Sequence, residues 1–384
     1  MPPVYSDDLL RYRWEGRLQA RGGNPYAVRP VDRPELLREE DHRLPGRDFK
    51  AIYGPLVLLT ERVAYAVSGE NLLLLRWPFA LADLLTLALL AWRFGLKAWV
   101  LYGWCPLAAF EFWSGGHNDS LCLLAVATAM WAFDQGRGGA EPEAKDSASR
   151  PSDPGASNGG LSGWWVSGWS AAGWVALGCA VLTKWWPAML IPFFLRGHWR
   201  KAAWAGLPAA LLAPLYWTDF RENAQFSSGF VGGWRNNDSL FGGLLWLTGD
   251  LYRAKYLAFG LMAAWALLLS LPRPMPAKAS LKQTSLAQTS LWAVTGLLLL
   301  AANVHPWYLT WLLPFLLSGS PQWYALVWIA LAPVAFEPAI VWRNTGVWNG
   351  LVPSRWGLYL PMFATLVFTV LERWYHRGRK ETLS

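Results

Sequence analysis

The stretch LLLLRWPFALADLLTLALLAW, residues 72–92, decides the fold class. Its length approaches the ~20 residues that a membrane-spanning helix requires. Arg76 and Asp83 are its only charged residues, and they lie two helical turns apart on one face. We expect them to form a structural ion pair. The stretch therefore predicts a helix that crosses a membrane.

Further apolar segments, nearly free of charge, follow along the chain. Hydrophobic residues make up 54% of the 384 residues, charged residues 16%, and Trp contributes 28. Trp at the segment ends is typical of the interfacial belt of membrane proteins. The other segments are residues 99–113, 121–133, 164–182, 185–195, 202–217, 251–271, 286–302, 307–317, 323–336 and 356–371. We predict an all-α polytopic membrane protein with roughly 10–12 transmembrane helices.

The basic residues between these segments set the orientation. With the N-terminal stretch outside the cytoplasm and each segment crossing in turn, the clusters of Lys and Arg all fall inside, as the positive-inside rule requires. Residues 54–67 must then form an interfacial helix. The net charge of +8 reflects this orientation, so no nucleic-acid partner is expected. Either the first apolar helix inserts with its N-terminus outside, or a further helix precedes Ser6; we favour the second.

The chain begins with SDDLLRYRWEGRLQARGGNPY, residues 6–26, a charged helix in an otherwise apolar protein. Ser6 is expected to cap this helix, with Asp7 and Asp8 in its first turn. Gly22 and Gly23 are expected to end it. Helical spacing places Asp8, Arg11, Tyr12 and Glu15 on one face. An ordinary surface helix with ion pairs has the same pattern, so other parts of the chain must decide its role.

Five polar clusters fall on the outer side in this topology. Polar groups at membrane depth are costly and usually mark a site. Each cluster alone also has a simpler explanation as a helix cap, a snorkelling lysine, a polar turn or an interfacial aromatic. Because all five clusters lie on the outer side of the membrane in this topology, a single common site is favoured over five separate explanations. The clusters are residues 6–26 with Asn24 and Tyr26, GGHNDS (115–120) with His117, Asn118 and Asp119, Lys184, WRNNDS (234–239) with Arg235, Asn237 and Asp238, and NVHPWY (303–308) with His305, Trp307 and Tyr308.

These residue types suit the transfer of a sugar from a phosphate. Aromatic rings can stack on sugars, and Lys184 and Arg235 can neutralise a phosphate. A carboxylate outside the cytoplasm can act as general base for an acceptor hydroxyl. Phosphate-loop, dinucleotide-binding, HExxH and nucleophile-elbow motifs are absent from the sequence. Nucleotide sugars are not normally available on that face, so a lipid-phosphate sugar is the expected donor.

The motifs resemble those of the GT-C superfamily of membrane glycosyltransferases, in particular bacterial mannosyltransferase-like members related to the GPI mannosyltransferase catalytic subunit. The matching pieces, in the family's order, are residues 6–26, IYGPL (52–56, with Tyr53), GHNDSL (116–121), LTKWWP (182–187) and HPWYLTWLLP (305–314). The resemblance implies a GT-C-like bundle, a catalytic acidic motif in the first outer loop at Asp7 and Asp8, and a polyprenyl-phosphate sugar donor. It also implies a span before that loop. IYGPL departs from the family's usual Tyr-Pro-Pro, which should alter only the local turn.

We therefore expect a hexosyltransferase that acts on the extracytoplasmic face of the cell membrane. It should move a hexose, with mannose as the leading candidate, to a glycan or glycolipid acceptor. One of Asp7 and Asp8 should be the general base of an inverting transfer, and we prefer Asp8 because Arg11, Tyr12 and Glu15 share its face. Metal dependence is left open, with Mg²⁺ and Mn²⁺ as candidates. The residues expected to bind substrate are Arg11, Tyr12, Glu15, Asn24, Tyr26, Tyr53, His117, Asn118, Asp119, Lys184, Arg235, Asn237, Asp238, His305, Trp307 and Tyr308.

Two other classes of protein fit parts of the pattern. A transporter or flippase of lipid-linked glycans would also have many spans and a polar, aromatic cavity. Transporters usually contain two related halves, and this chain has no visible internal repeat. A catalytically inactive scaffold is the third alternative, and the acidic and NPY motifs argue against it.

Composition divides the chain into five parts. Residues 1–70 should form the extracytoplasmic catalytic loop and interfacial helices, and residues 71–134 and 164–372 the transmembrane helices with their outer loops. Residues 135–163 should form a disordered cytoplasmic linker, because they are rich in Gly, Ser, Pro and charge. Residues 373–384 should form a basic cytoplasmic tail. Cys105, Cys122 and Cys179 have no metal-type spacing and are assigned no chemistry.

Overall fold

A computed structural model describes residues 7–138, 161–217, 235–271, 286–318, 322–347, 349–351 and 353–382. In these ranges the chain is helical and contains no β-strand, so the predicted all-α class is confirmed. The nearest approach to a sheet is an isolated parallel bridge between Asn236 and Asn303.

Sixteen helices can be followed along the described residues. The first ten are α1 (Asp8–Ala20), α2 (Pro55–Ser68), α3 (Leu72–Leu75), α4 (Trp77–Phe94), α5 (Leu96–Ala98), α6 (Pro106–Ala109), α7 (Asp119–Gly138), α8 (Leu161–Thr183), α9 (Ile191–His198) and α10 (residues 207–217). The remaining six are α11 (Leu240–Thr248), α12 (Leu251–Ser270), α13 (Leu286–Leu300), α14 (Trp323–Ala330), α15 (Glu337–Thr345) and α16 (Arg355–Thr382).

Shorter helical turns connect several of these elements. Turns of 3₁₀ type lie at Pro30–Asp32, Pro34–Leu36, Glu39–Arg43, Trp186–Leu190, Trp199–Gly206, Pro306–Phe315 and Ala332–Phe336, and π-helical turns at Trp99–Gly103 and Phe110–Ser114. Several predicted spans are therefore interrupted. Residues 99–113 do not form one helix, because Pro106 lacks a backbone N–H and begins a new helix after Cys105. In the same way Pro306 begins a 3₁₀ turn, so residues 307–317 are not an α-helix.

Helices α7 and α8 pack side by side at the centre of the largest apolar core. A Cβ atom added to Gly173 in α8 would lie 2.9 Å from the ring of Phe133 in α7, so glycine permits this close approach. Helix α1 packs on α2 instead. Tyr12 and Leu9 of α1 form a separate small cluster there with Phe79 of α4. The N-terminal helix is thus fixed to the bundle by its own apolar contacts.

Large apolar side chains also remain exposed on many helices. Trp104 is 80% exposed, Trp246 83% and Phe368 64%. Such exposure is unusual in proteins surrounded by water. By length and hydropathy, however, the described residues contain one helix that could cross a membrane, Leu72–Phe94, with mean hydropathy 1.7. The pair Trp323–Ala330 and Ala332–Thr345, bent by 44°, would make a second if it is one span. The count of roughly 10–12 spans thus stays a prediction.

The expected ion pair between Arg76 and Asp83 is wrong. Arg76 lies at the junction of α3 and α4 and donates hydrogen bonds to the carbonyls of Trp113 and Ser114. Asp83 accepts hydrogen bonds from the Tyr102 hydroxyl at 2.8 Å and from Nε1 of Trp113 at 2.9 Å. Both side chains are therefore held by residues 102–114 rather than by each other.

Two predicted boundaries also shift. Helix α7 continues to Gly138 and α8 begins at Leu161, so residues 135–138 and 161–163, predicted as part of the linker, are helical. The rest of that linker lies outside the described residues. The predicted tail, residues 373–384, continues α16 as far as Thr382.

Candidate active site

Helix α1 carries the paired aspartates at its start. The helix begins at Asp8, and Asp7 occupies the N-cap position without a side-chain capping hydrogen bond. The Asp7 carboxylate accepts hydrogen bonds from Arg43 and, at 3.4 Å, from Arg343. The prediction that Asp7 lies within the first turn is therefore wrong by one residue, because the backbone of Asp7 is not yet helical. Ser6, the predicted cap, lies outside the described residues.

The Asp8 carboxylate faces the imidazole of His117. Its Oδ2 lies 3.4 Å from Nδ1 of His117 and accepts a hydrogen bond of 3.3 Å from the Tyr53 hydroxyl. On the opposite edge of the ring, Nε2 of His117 lies 3.2 Å from Oε2 of Glu111. The side chains of His117 and Glu111 are 1% exposed, whereas that of Asp8 is 24% exposed. A buried imidazole thus links an accessible carboxylate to an inaccessible one.

Burial and neighbouring charges shift the pKa values of these groups in opposite directions. Burial lowers the pKa of His117, but its two carboxylate neighbours outweigh this effect and raise that pKa to about 9. Burial pushes the pKa of Asp8 upward, but the hydrogen bond and charge of His117 hold it below its ordinary value. Burial raises the pKa of Asp7 against the opposing charges of Arg43 and Arg343. At neutral pH His117 is therefore an imidazolium and Asp8 a carboxylate.

The indole of Trp307 stacks with two imidazoles. Its ring centroid lies 4.0 Å from that of His117 and 4.4 Å from that of His305, with planes 20° and 7° apart. Burial lowers the pKa of His305 to about 4. Nδ1 of His305 lies 3.2 Å from the side-chain amide nitrogen of Asn236. One charged and one neutral imidazole therefore contact the same indole.

Lys184 is held above an aromatic surface by Asp119. Its Nζ lies 2.7 Å from Oδ2 of Asp119, whose Oδ1 accepts a hydrogen bond of 2.6 Å from Nε1 of Trp311. The Lys184 Nζ also lies 5.4 Å from the ring centroid of Tyr308, which stacks on Trp311 at 4.2 Å. Asp119 begins α7, where the helix dipole favours a carboxylate. The cation is therefore paired within the protein.

A pocket of about 550 Å³ opens beside these groups, a volume typical of small-molecule sites. Both predicted catalytic residues, Asp7 and Asp8, line it. Six of the sixteen residues predicted to bind substrate line it as well: Arg11, Tyr53, Lys184, His305, Trp307 and Tyr308. The pocket thus combines carboxylates, cations and aromatic rings on shared walls.

Arg11, which lines the pocket, and Glu15, which does not, hold one part of the pocket wall in place. Arg11 pairs with Glu15 at 2.5 Å and donates hydrogen bonds to the carbonyls of Gly46 and Phe49, both on the pocket wall. Arg11 and Glu15, which share one face of α1, therefore hold the loop that follows the 3₁₀ turns.

Tyr53 is positioned by three predicted residues. Tyr12 packs against its ring with centroids 5.4 Å apart. The Tyr26 hydroxyl donates a hydrogen bond of 2.6 Å to the Tyr53 carbonyl, and Oδ1 of Asn24 accepts one from the Tyr26 backbone N–H. The NPY motif thus orients the hydroxyl that contacts Asp8.

The WRNNDS cluster contributes less directly. Arg235 pairs with Asp238 at 2.6 Å, and Asn237 donates a hydrogen bond of 2.9 Å to the Ala335 carbonyl. Arg235, Asn237 and Asp238 are absent from the described lining of the pocket, as are Tyr12, Glu15, Asn24, Tyr26, His117, Asn118 and Asp119. Neighbouring Asn236 does line it. The cluster therefore supports the pocket through Asn236.

Sequence reasoning missed four charged residues of this region. Arg43, Lys50 and Arg343 line the pocket, and Glu111 contacts His117. The three cations lie in stretches with no distinctive motif. Glu111 did carry a signal, because a carboxylate within the apolar run FEFW is costly and usually has a specific partner.

The carboxylates and imidazoles do not converge as a metal site. Among the described residues, no three His, Cys, Asp or Glu side chains are grouped as ligands for one ion. Asp7 contacts two arginines, and Asp119 contacts Lys184 and Trp311. These carboxylates are held by cations and an indole.

Comparison with known proteins identifies the family. A family model described as "Alpha-(1->6)-mannopyranosyltransferase, N-terminal domain" matches residues 1–201. Alpha-(1->6)-mannopyranosyltransferase A of Mycobacterium tuberculosis is 28% identical over 145 residues, which is 35% of this chain and 28% of that protein. A second alpha-(1->6)-mannopyranosyltransferase of the same organism is 28% identical over 141 residues, 34% of this chain and 24% of that protein.

The alignments thus span about a quarter of the length of these relatives. No solved structure matches the chain significantly. The family model, however, covers more than half of the sequence and includes the aspartate pair, Glu111, His117 and Lys184. The chain therefore belongs to the alpha-(1->6)-mannopyranosyltransferase family.

Proposed function

We propose that this protein is an integral membrane mannosyltransferase that moves mannose from a polyprenyl-phosphate donor to a glycan or lipid-linked acceptor. The transfer takes place on the extracytoplasmic face, and Asp8 is its general base. One observation carries the proposal: the accessible Asp8 carboxylate opens into a pocket that also holds Lys184, Arg43, Arg343 and an aromatic wall. Family membership supports the mannosyl chemistry.

The surface of the protein supports a membrane location with many spans. Outward-facing Trp and Phe side chains on α11 and α16 need an apolar surround. The interrupted helices are compatible with a membrane where neighbouring helices satisfy their backbone groups. The positive-inside distribution of Lys and Arg favours an orientation with the pocket on the outer side.

The pocket chemistry supports a phosphate-bearing donor. The guanidinium groups of Arg43 and Arg343 both reach Asp7, so two positive charges lie beside one carboxylate. Guanidinium groups bind phosphate oxygens through paired hydrogen bonds, and the surplus charge stabilises the phosphate as it leaves. The phosphate needs this charge stabilisation rather than a proton.

The state of Asp8 supports its role as base. Its lowered pKa keeps it ionised, and the Tyr53 hydroxyl and His117 fix its orientation. As the acceptor oxygen bonds to the anomeric carbon, its proton passes to Asp8, and the bond from that carbon to the phosphate oxygen breaks with its electrons going to the phosphate. General-base catalysis of this kind contributes typically ~10²–10⁴-fold. A single displacement inverts the centre, so an alpha linkage, as named for the relatives, requires a beta-linked donor.

Transfer from labelled polyprenyl-phosphate mannose to an acceptor extract tests the proposal. Membranes containing Asp8→Asn should lose roughly 10²–10⁴-fold in kcat, and Asp7→Asn should lose less. Asp32→Asn is the matched control, because this exposed carboxylate of the same N-terminal region pairs only with Arg29 among its described contacts. Near-wild-type transfer by Asp7→Asn, Asp8→Asn and the double variant would remove the enzymatic proposal.

A further inference from the structure

We infer that Glu111 is a positioning residue of this site, which acts through His117 to keep the Asp8 carboxylate charged and aligned. This inference rests on the proposed role of Asp8 as general base. Its geometric basis is the row Asp8–His117–Glu111. The buried imidazole in the middle has one carboxylate beside each of its two ring nitrogens.

The three groups come from separate elements of the fold. Asp8 begins α1, Glu111 lies in the π-helical turn Phe110–Ser114, and His117 follows that turn. The backbone N–H of His117 donates a hydrogen bond of 3.0 Å to the Glu111 carbonyl, which closes the turn. Gly116 adopts a positive φ of 65° directly before His117. The turn thus folds back and places the His117 ring beside the Glu111 side chain.

Charge explains why a second carboxylate is needed. A buried imidazolium paired with one carboxylate loses that partner's charge when Asp8 takes the acceptor proton. Glu111 then supplies the counter-charge, because its Oε2 lies 3.2 Å from Nε2 on the opposite edge of the ring, where the acceptor hydroxyl does not reach. His117 therefore stays protonated through the reaction cycle, and its positive charge remains beside Asp8, with Nδ1 3.4 Å from Oδ2.

The charged groups around His117 also favour its protonated form. Burial lowers the pKa of His117, and the two carboxylates raise it to about 9. Other ionisable groups also act on this cluster from neighbouring elements. These are Lys184 after α8, Asp119 at the start of α7, His305 before the 3₁₀ turn Pro306–Phe315, Tyr308 within that turn, and Tyr53 before α2. Lys184 is already paired with Asp119, and the low pKa of His305 leaves it neutral.

The variant Glu111→Gln tests the inference, because it removes the charge and keeps the shape. The alkaline limb of the pH profile of kcat, expected near pH 9 in the wild type, should shift to lower pH, with its midpoint moved down by roughly one to three pH units. At pH 8.5 kcat should fall by roughly tenfold or more while the donor KM changes little. Glu111→Asp, which keeps the charge, should restore most of kcat with a smaller downward shift.

Asp83→Asn is the matched control. Asp83 is also a buried carboxylate, but its described hydrogen bonds come from Tyr102 and Trp113 rather than from His117. The alkaline limb of the kcat pH profile of Asp83→Asn should have the same midpoint as that of the wild type. An unchanged midpoint in Glu111→Gln overturns the inference. If that variant does not accumulate as folded protein, a wild-type His117 that titrates at or below its ordinary pKa of 6.5 overturns the inference instead.

A readout independent of transfer separates this inference from the proposed function. The ring ¹⁵N signals of His117 in ¹⁵N-histidine-labelled protein, assigned with His117→Gln, report its protonation directly. The titration of His117 should move to lower pH in Glu111→Gln and stay in place in Asp83→Asn. Absence of Asp8-dependent transfer in the wild type would overturn the proposed function. An unmoved His117 titration would overturn the role of Glu111.

Discussion

The Nζ of Lys184 lies 2.7 Å from Oδ2 of Asp119, and the Asp119 side chain is completely buried. Removing one partner of such a pair leaves an uncompensated charge, which costs about 3–5 kcal/mol. Lys184→Ala should therefore lower the free energy of unfolding by about that amount as well as raise the donor KM. Denaturation in detergent and donor kinetics measure the two effects separately.

A double variant distinguishes these roles. In Lys184→Met with Asp119→Asn the buried charge is gone, and the amide oxygen that replaces the carboxylate can still accept the hydrogen bond from Nε1 of Trp311. Stability should recover, while the donor KM stays high. Recovery of both quantities would mean that Lys184 does not contact the donor.

Arg43 and Arg343 should bind the donor phosphate. Both line the pocket and meet at Asp7. We expect Arg343→Ala and Arg43→Ala each to raise the donor KM by roughly tenfold or more, as a lost charged hydrogen bond of about 1.5–3 kcal/mol implies. Kinetics with varied donor concentration measure this. Arg29→Ala, which removes an exposed arginine paired with Asp32, should leave the KM unchanged.

The charge of His117 should make the stability of the protein depend on pH. The pKa of His117 is raised from 6.5 to about 9 by its carboxylate neighbours against the effect of burial. The stabilisation is fully present below pH 6.5 and is lost as the pH rises through about 9. The Tm in detergent should fall by several degrees over this interval. His117→Gln cannot titrate there, so its Tm should fall less; an equal fall would contradict the assignment.

The orientation of the chain can be tested with two exposed positions. Glu39 lies near the pocket loop, and Gln135 lies in the last turn of α7. In a background without native cysteines, Glu39→Cys should react with an impermeant maleimide in intact cells. Gln135→Cys should react only after the membrane is opened. Equal labelling of both in intact cells would contradict the predicted topology.

Local patterns predicted the N-terminal helix well. Gly22 and Gly23 indicated its end, and Gly22 has a φ of 78°, which a residue with a side chain rarely adopts. Hydropathy failed at residues 99–113, because an apolar average does not register the break that Pro106 imposes. The start of α1 was also misplaced by one residue, since Ser6, Asp7 and Asp8 are all residue types that suit an N-cap and the pattern does not choose between them.

Motifs predicted the acidic, imidazole and aromatic parts of the site, because each lies in a short distinctive run. They did not predict Arg343, which has no distinctive neighbours and reaches the site only through the tertiary fold. Arg235, predicted to contact the phosphate, pairs with Asp238 three positions on and lies outside the described pocket lining. Composition and spacing do not show whether an arginine will bind a ligand or pair with a carboxylate of its own chain.

The contact between Arg343 and Asp7 joins positions that are 336 residues apart in the chain. A ribosome adding about 5–20 residues per second needs on the order of 20–70 s to make the chain between them. During that time the aspartates exist without the cation and the aromatic wall that complete their surroundings. Until Arg343 has been made, Arg43 is the one of these two arginines available to Asp7, so the charges around the aspartate pair are completed only late in synthesis.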